Sequence, residues 1–280
     1  MNREGKGKQT IGLSLKYLFL CLYALTTFFP LWWTFSNSFR TNDQIFSSTR
    51  LIPESFAYLA NYTKMLSQNI PLGMYNSLTT TAISLTLLMV CAVPAAYFIS
   101  KYKFRFSNLV FGLFSAGVIV PRLSILIATF TNFQKLGFLQ KQYPITLCYA
   151  AFELPISLFL LVGFMQSIPD SVLESAKIDG CNSWQLLMRI MLPMSRNGVV
   201  TVLILAFVSV WNEYAYAMIL IPNIKFKTMT IVLAAAKSEY MTEYGMMAAG
   251  VIIAVLPMIL IYSFLQEKIV SGMVAGAVKG

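Results

Sequence analysis

The sequence holds no histidine. That removes the commonest general base near neutral pH and the commonest metal ligand, and it excludes histidine-based catalytic triads. Charge is scarce as well. Asp, Glu, Lys and Arg make up 11% of 280 residues, against roughly 25% in soluble domains. A chain this poor in charge cannot cover a surface that faces water on all sides. The four cysteines, Cys21, Cys91, Cys148 and Cys181, stand far apart, with no CxxC pair and no zinc spacing. Three of them lie in apolar runs, where a thiol behaves as a small hydrophobe. No metal site is expected. There is also no Gly-Lys-Ser/Thr loop to cradle phosphates, so the chain is not expected to hydrolyse ATP. It has no internal repeat and no low-complexity segment.

Apolar residues are what the chain has in excess. They make up 57% of the composition, and mean hydropathy is +0.67. They fall in runs long enough to cross a bilayer, which points to an integral membrane protein. The net charge of +10 is spread over short segments between these runs. A nucleic-acid protein would gather such charge into one patch. Anionic lipid on the cytoplasmic face accounts for the scatter more simply.

The expected fold class is all-α, integral to the membrane, with six transmembrane helices of about 20 residues. The spans are expected at about 13–35, 74–100, 108–130, 144–165, 197–220 and 246–266. Residues 1–12 read as a cytoplasmic N-terminal segment bearing Arg3, Lys6 and Lys8. Residues 13–280 read as a single transmembrane domain. The first run is too long for a signal-peptide core and ends in Trp32-Trp33, an interfacial aromatic pair. Lys101, Lys103 and Arg105 form a basic cluster without acids, the clearest cytoplasmic marker in the chain. Both termini are then cytoplasmic. Pro94, Pro155 and Pro257 lie inside spans, either as hinges or as static kinks.

One stretch, 168–193, is polar yet helical. Asp170 or Ser171 can cap a first helix after Pro169. Asp179-Gly180 interrupts it, with glycine supplying a turn at no steric cost. Asn182 or Ser183 can cap a second helix, Trp184–Met191, expected to stop at Pro193. The result is a helix-turn-helix elbow between spans 4 and 5, on the cytoplasmic side.

Within it, Glu174-Ser175-Ala176 is followed by three residues, then Gly180, nine more, Ile190, one more, and Leu192-Pro193. This spacing resembles the EAA motif of binding-protein-dependent ABC importer permeases, with Ser175 in place of the middle alanine. Asn76-Ser77-Leu78, Ala95-Ala96-Tyr97, Trp211-Asn212 and the terminal Gly276-Ala277-Val278-Lys279-Gly280 resemble the carbohydrate-uptake branch. The resemblance runs from the first span to the last residue. It implies that the elbow is a coupling loop on which an ATP-binding cassette subunit docks through Glu174, Ser175, Ala176, Asp179 and Gly180. It implies that the tail, Val278, Lys279 and Gly280, reaches the interface of the two ATPase subunits. Asp179 is either a direct contact to the ATPase or a cap that holds the elbow's shape.

Charged groups at bilayer depth are costly unless they face protein or water. Trp211-Asn212-Glu213-Tyr214, with Asn76, is a candidate substrate pathway. Aromatic rings stack on a pyranose and polar groups bond its hydroxyls. The same residues also read as an interfacial belt. Arg122 can snorkel outward or pair with Glu153, and Glu153 is placed near the membrane interface.

The expected function is the permease subunit of an ATP-driven, binding-protein-dependent carbohydrate importer in a bacterial cytoplasmic membrane. The implied partners are a second homologous permease subunit, two ATP-binding cassette subunits, an extracytoplasmic sugar-binding protein, the sugar and membrane lipid, with no nucleic acid. No cofactor is expected in this chain; ATP and magnesium belong to the ATPase. The rival is an ion-gradient-driven transporter or channel, which calls for ionisable residues deep in several spans and often two related halves.

Overall fold

A computed structural model describes residues 3–102, 104–139, 141, 143–239 and 243–277, with side chains left undescribed at 3–11, 237–239 and 265–277. Every regular element among them is helical. The long helices are α1 (Arg3–Asn37), α4 (Ile70–Lys101), α7 (Tyr143–Gln166), α11 (Arg196–Trp211) and α14 (Tyr244–Ala277). Short ones lie between them: α2 (Asn42–Ser47), α3 (Ala60–Leu66), α5 (Ser107–Ala116), α6 (Leu126–Lys135), α8 (Asp170–Ile178), α9 (Ser183–Gln185), α10 (Leu192–Met194), α12 (Ala215–Leu220) and α13 (Met229–Glu239).

Among the described residues, four helices are long and apolar enough to cross a membrane: Gly12–Asn37, Ile70–Lys101, Tyr143–Gln166 and Tyr244–Phe264. A bent pair, Ser183–Met194 with Arg196–Trp211, raises the count to five. The expected third span, 108–130, is not one helix. α5 stops at Ala116, the chain turns, and a 3-10 turn at Arg122–Ile125 leads into α6. Pro121 has no N–H to continue the ladder, and it drives Val120 out of helical geometry. The expected fifth span, 197–220, is divided in the same way, with α11 ending at Trp211 and α12 starting at Ala215.

Prolines inside α4, α7 and α14 do not end those helices. Pro193 does not end its helix either, contrary to expectation. The turn before it widens, and Leu192 N–H donates five residues back to the Leu187 carbonyl. This π turn absorbs the donor that proline cannot supply. The chain breaks instead at Ser195, where the two arms meet at 76°.

The chain divides into two compact units. In the first, residues 1–70 and 233–255, Asn61 Nδ2 donates to the Ser38 and Arg40 carbonyls at 3.0 and 2.8 Å. Lys64 Nζ meets Glu243 Oε2 at 3.0 Å. In the second, residues 71–232 and 256–280, one buried cluster joins Leu88, Ala92 and Tyr97 of α4, Leu161 and Met165 of α7, and Leu173 and Ala176 of α8. Leu186, Leu187 and Met191 complete it, so the elbow shares a core with the membrane helices. Gly198 lets α11 approach α7 closely, because a Cβ there would collide with the Phe164 ring.

Candidate functional site

The elbow is built by local chemistry. α8 runs to Ile178 and closes in a Schellman turn: Gly180 N–H donates to the Lys177 carbonyl and Cys181 N–H to the Ala176 carbonyl, both at 3.0 Å. Gly180 carries φ of +86°, a left-handed conformation that costs an L side chain roughly 1–2 kcal/mol. The second limb opens with a capping box. Asn182 Oδ1 accepts from Gln185 N–H, and Gln185 Oε1 accepts from Asn182 N–H, both at 2.9 Å. Of the two expected caps there, Asn182 is the one used. At the start of α8 neither Asp170 nor Ser171 caps; Pro169 holds that position without a side-chain bond. Asp170 is instead paired with Lys101, Nζ to Oδ1 at 2.7 Å.

The predicted coupling residues sort by exposure. Glu174, Ser175, Asp179 and Gly180 are exposed, while Ala176 is buried under α8. Asp179 is the C-cap residue, yet its carboxylate makes no hydrogen bond among the described residues; neither does that of Glu174. Ser175 Oγ donates back to the Ser171 carbonyl at 3.0 Å. Two large apolar side chains at the same corner were missed from the sequence. Ile178 is 87% exposed and Trp184 is 61% exposed. Their signal was faint: one apolar residue beside a polar turn and one aromatic just after a cap.

A cavity of about 140 Å³ lies under the elbow, lined by Tyr97, Lys101, Tyr102, Asp170, Leu173, Glu174 and Lys177. The tail residues Val278, Lys279 and Gly280 lie outside the described residues.

Deeper in the bundle is a polar cluster that the sequence left open. Arg122 pairs with Glu153, Nη1 to Oε1 at 2.8 Å. Ser209 Oγ donates to the same Oε1 at 2.6 Å and accepts from Arg122 Nη1 at 3.1 Å. Tyr216 OH donates to the Arg122 carbonyl at 2.5 Å. The Arg122 guanidinium also lies 5.8 Å over the Phe152 ring. Glu153 is buried and sits near the middle of α7, about 15 Å along from Tyr143 at 1.5 Å per residue. The pair anchors the broken segment around Pro121 to α7 and α11.

The candidate pathway residues are largely committed to holding backbone. Asn76 gives its amide hydrogens to the Lys225 and Lys227 carbonyls at 2.9 and 3.0 Å. Glu213 accepts from Tyr216 N–H at 2.8 Å, Ala217 N–H at 3.0 Å and Tyr149 OH at 2.6 Å, and so caps α12. Its own carbonyl accepts from Thr230 Oγ1 at 2.9 Å. Asn76 and Glu213 therefore hold two ends of the loop 225–230. Trp211 is buried and stacks on Phe207, ring centroids 5.5 Å apart. Asn212 and Tyr214 remain exposed.

The elbow, with its left-handed glycine turn, shares one buried core with the membrane-length helices α4 and α7. Comparison with known proteins supplies the family. The family described as binding-protein-dependent transport system inner membrane component matches residues 89–274, well over half of the chain. The chain belongs to that family, a membrane translocation component whose ATP hydrolysis is carried out by separate subunits. It is similar to the diacetylchitobiose uptake system permease protein NgcG of Streptomyces coelicolor, 28% identical over 94% of this chain and 88% of that one. It is equally similar to the galactooligosaccharides transport system permease protein GanQ of Bacillus subtilis, 28% identical over 100% of both chains. A bacterial ABC transporter involved in import of the acidic polysaccharide alginate shares the fold. Its TM-score is 0.82 at 20% identity, over 95% of this chain and 98% of that one.

Proposed function

We propose that this chain is the membrane-spanning half of an ATP-driven, binding-protein-dependent importer of a carbohydrate, specifically an oligosaccharide. The observation that carries the reading is the elbow at 168–193. In a chain of this family, a left-handed glycine and two caps present an exposed corner on a core shared with α4 and α7. The names of similar permeases, which include diacetylchitobiose and galactooligosaccharide uptake systems, support the carbohydrate.

In this reading residues 1–12 are cytoplasmic and residues 13–280 serve as one transmembrane domain crossing six times. The broken segment around Pro121 and the pair α11 and α12 each count as one crossing, with the elbow at 168–193 outside the membrane. Both termini face the cytoplasm. A second homologous permease subunit forms the other half of the pore, two ATP-binding cassette subunits dock on the loops, and an extracytoplasmic sugar-binding protein delivers substrate. ATP and magnesium bind in the ATPase, with no cofactor in this chain. Ile178 and Trp184 seat in an apolar socket of the ATPase, and Glu174 and Asp179 offer their free carboxylates to cations at its rim. Val278, Lys279 and Gly280 extend toward the ATPase interface. ATP binding closes the ATPase pair, the elbows move together, and the helices open outward; hydrolysis resets them inward.

The test is purification in mild detergent with Gly180→Trp beside wild type. Nothing lies within 4 Å of a Cβ at Gly180, so the substitution acts on the docking surface and the turn, not on packing. ATPase subunits co-purify with wild type, and Gly180→Trp separates ATP hydrolysis from uptake. Uptake that survives ATP depletion and collapses with the ion gradient refutes the importer.

A further inference from the structure

The polypeptide joins the elbow directly to two membrane helices: α7 leads into α8, and the second limb leads into α11. A third helix is joined to it without being adjacent in the chain. At the end of α4, Lys101 Nζ donates to Asp170 Oδ1 at 2.7 Å and to the Ile168 carbonyl at 2.5 Å. Both acceptors sit at the start of the first limb. The next residue, Tyr102, donates its hydroxyl to Ser183 Oγ at 3.0 Å, at the start of the second limb. Tyr102 OH also meets Tyr97 OH at 3.2 Å, and the Lys177 ammonium lies 5.8 Å over the Tyr102 ring. The end of α4 thus holds both limbs of the elbow, on either side of the Gly180 turn.

We infer that Lys101 and Tyr102 are positioning residues that make α4 a third helix driven by the elbow. Two features favour transmission over simple packing. The Lys101 side chain is 5% exposed, so its ammonium is held by two oxygens with little water to exchange for them. Charge-assisted hydrogen bonds of this kind are short and directional, whereas apolar surfaces can slide. The grip is also two-sided, so displacement of either limb pulls or pushes the end of α4. The ties border the cavity under the elbow, and the apolar cluster that includes Tyr97, Leu173 and Ala176 packs beside it.

The chain carries its own reporters. Cys91 lies exposed on α4, and Cys181 lies in the elbow. The inference rests on the importer reading, and the experiment separates the two. The complete transporter, with its ATPase pair, is prepared with either Cys91 or Cys181 as the sole cysteine of this chain. Each carries a nitroxide label, and spectra are taken without nucleotide and with ATP, magnesium and vanadate. Both labels shift in the parent. If neither shifts, the importer reading fails; if Cys181 shifts and Cys91 does not, the α4 link fails. Lys101→Met combined with Tyr102→Phe keeps the Cys181 shift and loses the Cys91 shift, and Lys101→Arg retains both. This substitution leaves no buried charge behind, since the Asp170 side chain is 76% exposed. If the double variant does not assemble, Asp170→Asn is judged by the same criterion. Retention of both shifts, or loss of both together, overturns the inference.

Discussion

The pairing of Arg122 with Glu153 supports a quantitative prediction because the two partners differ in burial. The Glu153 side chain is 5% exposed and the Arg122 side chain 42%. Arg122→Gln strands a buried carboxylate that keeps the neutral Ser209 hydroxyl as a donor, and removing one partner of a buried pair costs about 3 kcal/mol or more. Glu153→Gln strands an arginine that is already half in contact with its surroundings and still bonds Ser209 and the Phe152 carbonyl, at a cost of about 1 kcal/mol. The double substitution removes both charges and should cost little more than Glu153→Gln alone. At about 2–4 °C per kcal/mol for a chain of this size, Arg122→Gln lowers the unfolding midpoint by about 6–12 °C, and Glu153→Gln by about 2–4 °C. The double variant should match the milder single. The assay is heating of the detergent-purified complex, followed by size-exclusion chromatography of the surviving fraction. Losses that add, or an Arg122→Gln no worse than Glu153→Gln, refute the claim that burial of Glu153 governs this site.

Two further outcomes follow from the packing and the caps. Gly198→Leu drives a side chain into the Phe164 ring and should cost about 1–3 kcal/mol, with Phe164→Ala on the same chain recovering part of the loss; an unchanged midpoint in the same heating assay refutes the close approach. Glu213→Ala removes the cap of α12 and strands the Tyr149 hydroxyl, which should cost about 1–2 kcal/mol. Glu213→Gln, which keeps an acceptor oxygen, should cost less, and equal losses in the two variants argue against capping.

The elbow was the part most legible in the sequence. Gly180, Asn182 and Gln185 act within a few residues of themselves, so their spacing alone carries the turn and the second cap. The start of α8 was less legible. Asp170 has the chemistry of a cap, but Lys101, 69 residues earlier, takes its carboxylate. Pro121 and Pro193 show the same limit in the backbone. One proline breaks a helix and the other is absorbed by a π turn, and residue identity does not distinguish them. The aromatic and amide residues 211–214 were legible as polar groups in an apolar run. That Glu213 caps α12 while Asn76 holds the loop at 225–227 was not.

Composition and spacing by themselves determined a membrane protein, helical in every regular element among the described residues, with an elbow whose spacing carries the family. Those properties rest on averages over long runs and on bonds between near neighbours. The tertiary structure alone decided that Arg122 meets Glu153, that Tyr102 reaches Ser183 across 81 residues, and that the third apolar run is broken. Each depends on which helices lie side by side. In a chain whose helices are apolar on most faces, pattern says little about neighbours, and the few polar side chains find partners only once the helices have packed.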